Sequence, residues 1–124
     1  MKKVISTTEA PGAIGPYSQG IDLGNIVFCS GQIPINPATG AMPEGITAQT
    51  EQAIANVKAL LKSIGLSLEN VVKTTVFLAD IADFAAMNEV YASHFTEPFP
   101  ARSAVAVKDL PKGALVEVEV IAAR

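Results

Sequence analysis

Four side chains of this sequence have the type and setting to do chemistry: an arginine, a glutamate, a tyrosine and a serine. Arg102 lies in "FPARSAV", where a charge interrupts an apolar run at the mouth of an expected strand. A guanidinium presents a rigid fork that matches a carboxylate through two parallel hydrogen bonds, which a lysine ammonium cannot do. The apolar rim of Phe99, Pro100 and Ala101 would strengthen such a pairing by excluding water. The same residue also reads as an ordinary surface charge. Glu117 and Glu119 punctuate "LVEVEVIA", two carboxylates two residues apart on an otherwise apolar stretch. Tyr17 sits in the glycine-proline loop "GPYSQG", where an aromatic either closes over a ligand or plugs onto the core. Ser30-Gly31 in "CSGQIP" end a strand with small residues, which admit a close backbone approach or simply a tight turn.

Other candidates read as structural. Cys29, the single cysteine, lies in an apolar run and behaves as a small buried hydrophobe rather than a nucleophile. His94 is the only histidine, and its place near the end of a helix is explained by the helix dipole. One His and one Cys far apart supply neither a zinc site nor a Cys–His pair, so no metal is expected. There is no phosphate-cradling glycine motif and no nucleophile elbow.

The elements that must position these residues follow from periodicity. "VIST" reads as a short first strand, and "IDLGNIVFCSG" as two strands turning at Gly24-Asn25. Residues 47–64 carry Ile54, Val57, Leu61 and Ile64 at helical spacing, widened by Ala53 and Leu60, with Gly65 at the C′ place. "NVVKTTVFLA" is largely β-branched and apolar on both faces, as an internal strand should be. Asp80 offers an N-cap to a second helix that aligns Phe84, Met87, Tyr91 and Phe95, and "PFP" ends it. "RSAVAV" and "LVEVEVIA" form the last two strands, expected as a hairpin across "KDLPKGA". The result is an α+β domain: a mixed sheet with two helices packed on one face.

Strand parity then assigns faces. If the valines of both final strands face the core, Arg102 and the two glutamates share the opposite face. A hairpin register separates Arg102 from Glu117 by about four residues, or ~13 Å. They would meet only across an interface between copies of the chain. The uncovered sheet face points the same way, since no third helix is available to cover it.

Composition bounds the rest. The 124 residues suffice for one domain, residues 1–124, with its own core. At 49% hydrophobic and 17% charged, the chain is apolar for its size, which favours self-association. Nine Lys+Arg are scattered against twelve Asp+Glu, so no basic stripe offers itself to nucleic acid. The first residues lack the apolar core of a signal peptide, and no stretch is apolar and long enough to span a membrane. The expectation is a cytoplasmic protein.

Five blocks, "IGPYSQG", "SGQIP", "VVKTTVFL", "FPARSAV" and "VEVEVIA", resemble the RidA/YjgF family in order and spacing, over about residues 4–123. The resemblance implies a chorismate-mutase-like fold and a homotrimer with its sheets packed inward and its sites in the clefts between subunits. It implies hydrolysis of reactive 2-imino acids (2-iminopropanoate, 2-iminobutanoate) to 2-keto acids and ammonia, with no cofactor. By position, Arg102 matches the family's carboxylate-binding arginine, while Tyr17, Ser30 and Glu117 match its other catalytic residues. Gly31, Asn88 and Ala104 match substrate-cleft positions. Many members carry cysteine where this chain has Ala104, which disfavours thiol chemistry there. A small-carboxylate-binding regulator or chaperone-like protein without turnover is the alternative, and an endoribonuclease a more distant one.

Overall fold

The computed structural model describes all 124 residues. Eight elements follow in chain order: β1 (Lys3–Ile5), β2 (Gly20–Asp22), β3 (Ile26–Gln32), α1 (Ile46–Lys62), β4 (Val71–Leu78), α2 (Phe84–His94), β5 (Ala101–Ala106) and β6 (Val116–Ala123). The six strands form one sheet in the order β1-β2-β3-β6-β4-β5. Every pairing is antiparallel except β4 with β5, which run parallel because α2 carries the chain back between them.

The helices form as their periodicity requires. In α1, Ala53, Ile54, Val57, Leu60 and Leu61 are at most 1% exposed and face the sheet. Its C-terminus closes as a Schellman motif: the Leu66 amide donates to the Leu61 carbonyl and the Gly65 amide to that of Lys62, with Gly65 left-handed (φ 77°). Asp80 caps a single 3₁₀ turn, Ile81–Asp83, by accepting from the Ala82 amide, and this turn runs on into α2. Met87, Val90, Tyr91 and Phe95 complete the core over β4. On the sheet, Val116, Val118 and Val120 of β6 and Thr74, Val76 and Leu78 of β4 are the buried row beneath the helices.

Two expectations about the last strands are corrected. β5 and β6 are not a hairpin: β4 lies between them. The parity of β5 is also reversed. Arg102 pairs with Thr74, and Ala104 with Val76, so both belong to the helix-covered face. Ser103 and Val105 share the other face with Glu117 and Glu119. The valine pattern misled because β5 is an edge strand whose Val105 is 45% exposed. Apolar side chains mark both faces of this sheet. Phe28, Val4 and Val105 are exposed on the side away from the helices, and Ile121 and Phe77 lie among them half-buried. No helix is long and apolar enough to cross a membrane.

Candidate functional site

The residues singled out in the sequence gather into two groups on opposite sides of the sheet. The first surrounds Arg102. Its Nη1 donates to Asn88 Oδ1 on α2 at 2.6 Å, and its guanidinium carbon lies 4.7 Å from the centre of the Tyr91 ring, with Phe84 at 5.6 Å. Tyr91 is itself locked, stacked on Phe95 at 4.3 Å and hydrogen-bonded through its hydroxyl to Thr74 Oγ1 at 2.8 Å. The guanidinium is therefore held at a fixed angle by two side chains of α2. It has no carboxylate partner: the two ion pairs of the chain are His94–Glu51 and Arg124–Asp22. Of five N–H donors, one is used within the chain. Ala104, two residues along the same face, packs against the core.

The second group lines a cleft of about 500 Å³ formed by Tyr17, Gln19, Ser30, Gly31, Glu117 and the loop segments around Ile14, Ile35 and Lys112. A break in register places it there. Cys29 pairs with Val120 but Gln32 with Val118, so β3 carries one extra residue at Ser30-Gly31 and bulges against β6. The Glu117 carboxylate occupies the space this leaves. A Cβ on Gly31 would overlap it, so glycine is required there for close approach rather than for backbone freedom. Burial, reinforced by the like charge of Glu119, raises the Glu117 carboxyl above its ordinary pKa.

The same bulge anchors the tyrosine loop. The Ser30 amide donates to the Gln19 carbonyl (2.9 Å) and the Ser30 hydroxyl to that of Ser18 (2.6 Å). The hydroxyl hydrogen is thereby committed, and the oxygen faces the cleft as an acceptor. Tyr17, presented by this anchored segment, is half-exposed at the cleft mouth.

Glu117 and Val105 both lie level with Phe77 of β4, so β5 runs about 10 Å away across two strand spacings. Arg102 lies three residues further along β5, another ~10 Å, and its side chain leaves from the other face. Within one chain the two groups do not meet.

Sequence reasoning missed Lys112 and Gln19. Lys112 is the one cation lining the Glu117 cleft, and it holds a left-handed backbone (φ 56°, ψ 24°) that costs a non-glycine residue about 1–3 kcal/mol. The Lys-Gly pair in "LPKG" was the available signal. Cys29 and His94 lie outside both groups. The Cys29 thiol is buried and pushed up to about 11, which keeps it protonated at neutral pH. His94 bridges Glu51 (2.5 Å) and Lys58 (2.9 Å) between the helices.

The chain is similar over nearly its whole length to known proteins. The family model described as endoribonuclease L-PSP matches residues 7–124. A 2-iminobutanoate/2-iminopropanoate deaminase of Escherichia coli strain K12 is 52% identical, with 100% of this chain and 99% of that protein covered. A RutC family protein of Pyrococcus horikoshii is 55% identical over 98% of each chain. The crystal structure of Escherichia coli TdcF with bound serine matches with a TM-score of 0.94 at 50% identity, covering 98% of both chains.

Proposed function

The chain belongs to the RidA/YjgF family, and we propose that it hydrolyses small 2-imino acids to 2-keto acids and ammonia at a site shared between copies of itself. The observation that carries this reading is the Arg102 guanidinium, positioned by Asn88 and Tyr91 and left without a carboxylate partner in its own chain. The name of the Escherichia coli relative supplies the reaction, and the serine in the TdcF structure is a ligand of the same class, a small 2-amino carboxylate.

In this reading Arg102 of one copy grips the substrate carboxylate and Glu117 of the next faces the imine carbon. The imine nitrogen is protonated, which makes the carbon electrophilic. Ionised Glu117 takes a proton from the attacking water as the C–O bond forms, giving a carbinolamine. It returns that proton to the nitrogen, then takes the hydroxyl proton as the C–N bond breaks and the carbonyl forms, leaving a keto acid and ammonia. Ser30 accepts from the N–H of the iminium, and Tyr17 closes the cleft over the short side chain. Gly31 gives Glu117 its place, and Asn88 sets the angle of Arg102. Ala104 lines the opposite wall with a methyl group and contributes no thiol. The chemistry needs positioning and one acid–base group, so no cofactor enters it.

Assembly follows from the split site. In this reading the Arg102 face of one copy meets the Glu117 face of the next head to tail, a heterologous contact that makes a ring where its rotation closes. The apolar outer face with Phe28, Val105 and Ile121 supplies the buried area, and three copies, the family's arrangement, would turn these faces inward.

The test is a coupled assay in which a serine or threonine dehydratase generates the imine and keto-acid formation is followed. Wild-type protein accelerates that formation and Arg102→Ala does not. A folded assembly that binds 2-oxobutanoate but gives no acceleration would instead make the chain a ligand-binding regulator. RNA cleavage is disfavoured, since the cleft carries one lysine and the chain a net charge of −3.

A further inference from the structure

We propose that Gln19 is a positioning residue of this site, whose side chain holds the segment Thr7–Pro11 and so seats Pro11, Gly12 and Ile14 as a wall of the Glu117 cleft. The inference rests on the hydrolytic reading above for its kinetic consequences, and on the structure alone for the wall.

The segment has little else to hold it. Between Ser6 and Ile14 no backbone group bonds to another backbone group. Pro11, Gly12, Gly15 and Pro16 prevent any regular element from forming there. Its one local bond joins the Glu9 amide to Thr7 Oγ1. All other hydrogen bonds of the stretch are made by the Gln19 side chain, which is 5% exposed. Gln19 Oε1 accepts from the Thr7 amide at 2.7 Å. Its Nε2 lies within hydrogen-bond reach of three carbonyls, Pro11 at 2.7 Å, Thr7 at 3.1 Å and Ala10 at 3.4 Å, which share its two hydrogens. Only a side-chain amide of this length donates and accepts at once. A glutamate would turn a carboxylate toward those carbonyls, and a methionine would leave all of them unpaired.

This clasp connects directly to the reacting groups. Pro11, Gly12 and Ile14 line the same cleft as Glu117. The backbone carbonyl of Gln19 receives the Ser30 amide, so the residue gripping the wall is itself fixed to the bulge that makes room for Glu117. A buried glutamine that merely satisfied its own amide would need no such target. Ala10 packs into the core, but every hydrogen bond that ties this side of the cleft to the rest of the chain passes through the single side chain of Gln19. Its consequence is water exclusion: with the wall seated, Glu117 and an attacking water are enclosed, and with it loose the cleft opens to solvent.

The experiment compares wild type with Gln19→Met and Gln19→Glu by amide hydrogen exchange at Thr7, oligomeric state, and the pH profile of kcat in the dehydratase-coupled assay. Gln19→Met should exchange faster at Thr7, Gln19→Glu less so because its carboxylate still accepts from the Thr7 amide while repelling the three carbonyls, and both should keep the wild-type assembly. Their kcat should fall on the order of 100-fold with KM little changed, since Arg102 lies in the other group. The acid limb of the profile should move to lower pH as water reaches Glu117, a shift that a smaller folded fraction does not produce. Faster exchange with unchanged kcat, or a reduced kcat with the acid limb unmoved, overturns the proposal. If neither variant folds, wild-type Thr7 exchange with and without saturating 2-oxobutanoate decides: slower exchange on binding supports the wall, and no change overturns it. Absence of turnover by the wild type would sink the hydrolytic reading separately, and the exchange measurements would still judge the wall.

Discussion

Arg102 and Glu117 do opposite things with charge, and each consequence is measurable. Arg102 presents its guanidinium fork at an angle set by Asn88 and the Tyr91 ring. Arg102→Lys retains the charge and loses the fork, so kcat/KM should fall roughly 10- to 100-fold, as for one or two charge-assisted hydrogen bonds. A steady-state assay against Arg102→Ala reads the difference. Glu117 is destabilised as an anion by its burial and by Glu119. In its proposed role as a base it works only when ionised, so activity should be lost as pH falls through this raised pKa, and the acid limb should lie above the ordinary carboxylate value of about 4.3. Stability runs the other way. Between the unfolded and the raised folded pKa the native chain holds more protons than the unfolded one, so stability falls as pH rises through that window. Glu117→Gln should remove this loss while lowering kcat by roughly 10²- to 10⁴-fold, so that melting curves and rates move in opposite directions.

The elements work by leaving room and by tying loops down. The β3 bulge makes space for a carboxylate that a regular ladder would have displaced, and Gly31→Ala should push Glu117 out of that space. The expected outcome is a folded protein with most of its activity lost and little loss of stability, since a Cβ there meets only the flexible Glu117 side chain. Denaturant titration beside the assay tests both halves. From the other side, the buried Asn56 of α1 donates to the carbonyls of Ile33 and Ile35, and both of those residues line the cleft. Asn56→Ala leaves the two carbonyls unpaired and should cost about 1–3 kcal/mol. Arg124 ties the chain end to the β2–β3 turn through both oxygens of Asp22, whose carboxyl is held below its ordinary pKa by that arginine.

At the scale of the whole molecule, Arg102 and Glu117 lie too far apart to meet within one chain, so the proposed site is completed between copies. Two inactive variants, Arg102→Ala and Glu117→Gln, should therefore rescue each other when refolded together. In a randomly mixed ring about a quarter of the sites pair an intact Arg102 with an intact Glu117, so about a quarter of wild-type activity should return. No recovery would place both residues in a single-chain site, against the face assignment reported above. Val105→Asp on the outer face should break the assembly, seen by light scattering, and abolish turnover while α1 and the core beneath the helices stay folded.

The element order, both helices, the Gly65 end of α1, the internal place of β4 and the core stripe of α1 were legible in the sequence, because each rests on local periodicity and turn chemistry. Asp80 instead caps the 3₁₀ turn before α2, and α2 ends at His94, ahead of the prolines expected to stop it. Arg102 was legible as a candidate carboxylate binder from its type and setting, whereas the role proposed for Glu117 came from the family resemblance. What the sequence could not supply was neighbourhood. β6 enters the sheet between β3 and β4 rather than beside β5, with its valines buried under α1, a choice invisible to any local window. The register of β5 on β4 sets Arg102 on the helix face, opposite Glu117, and the β3 bulge and the Gln19 clasp likewise depend on residues far apart in the chain. Local order along the chain follows from residue type, while the facing of its functional groups follows from which strands pair, and only the folded chain decides that.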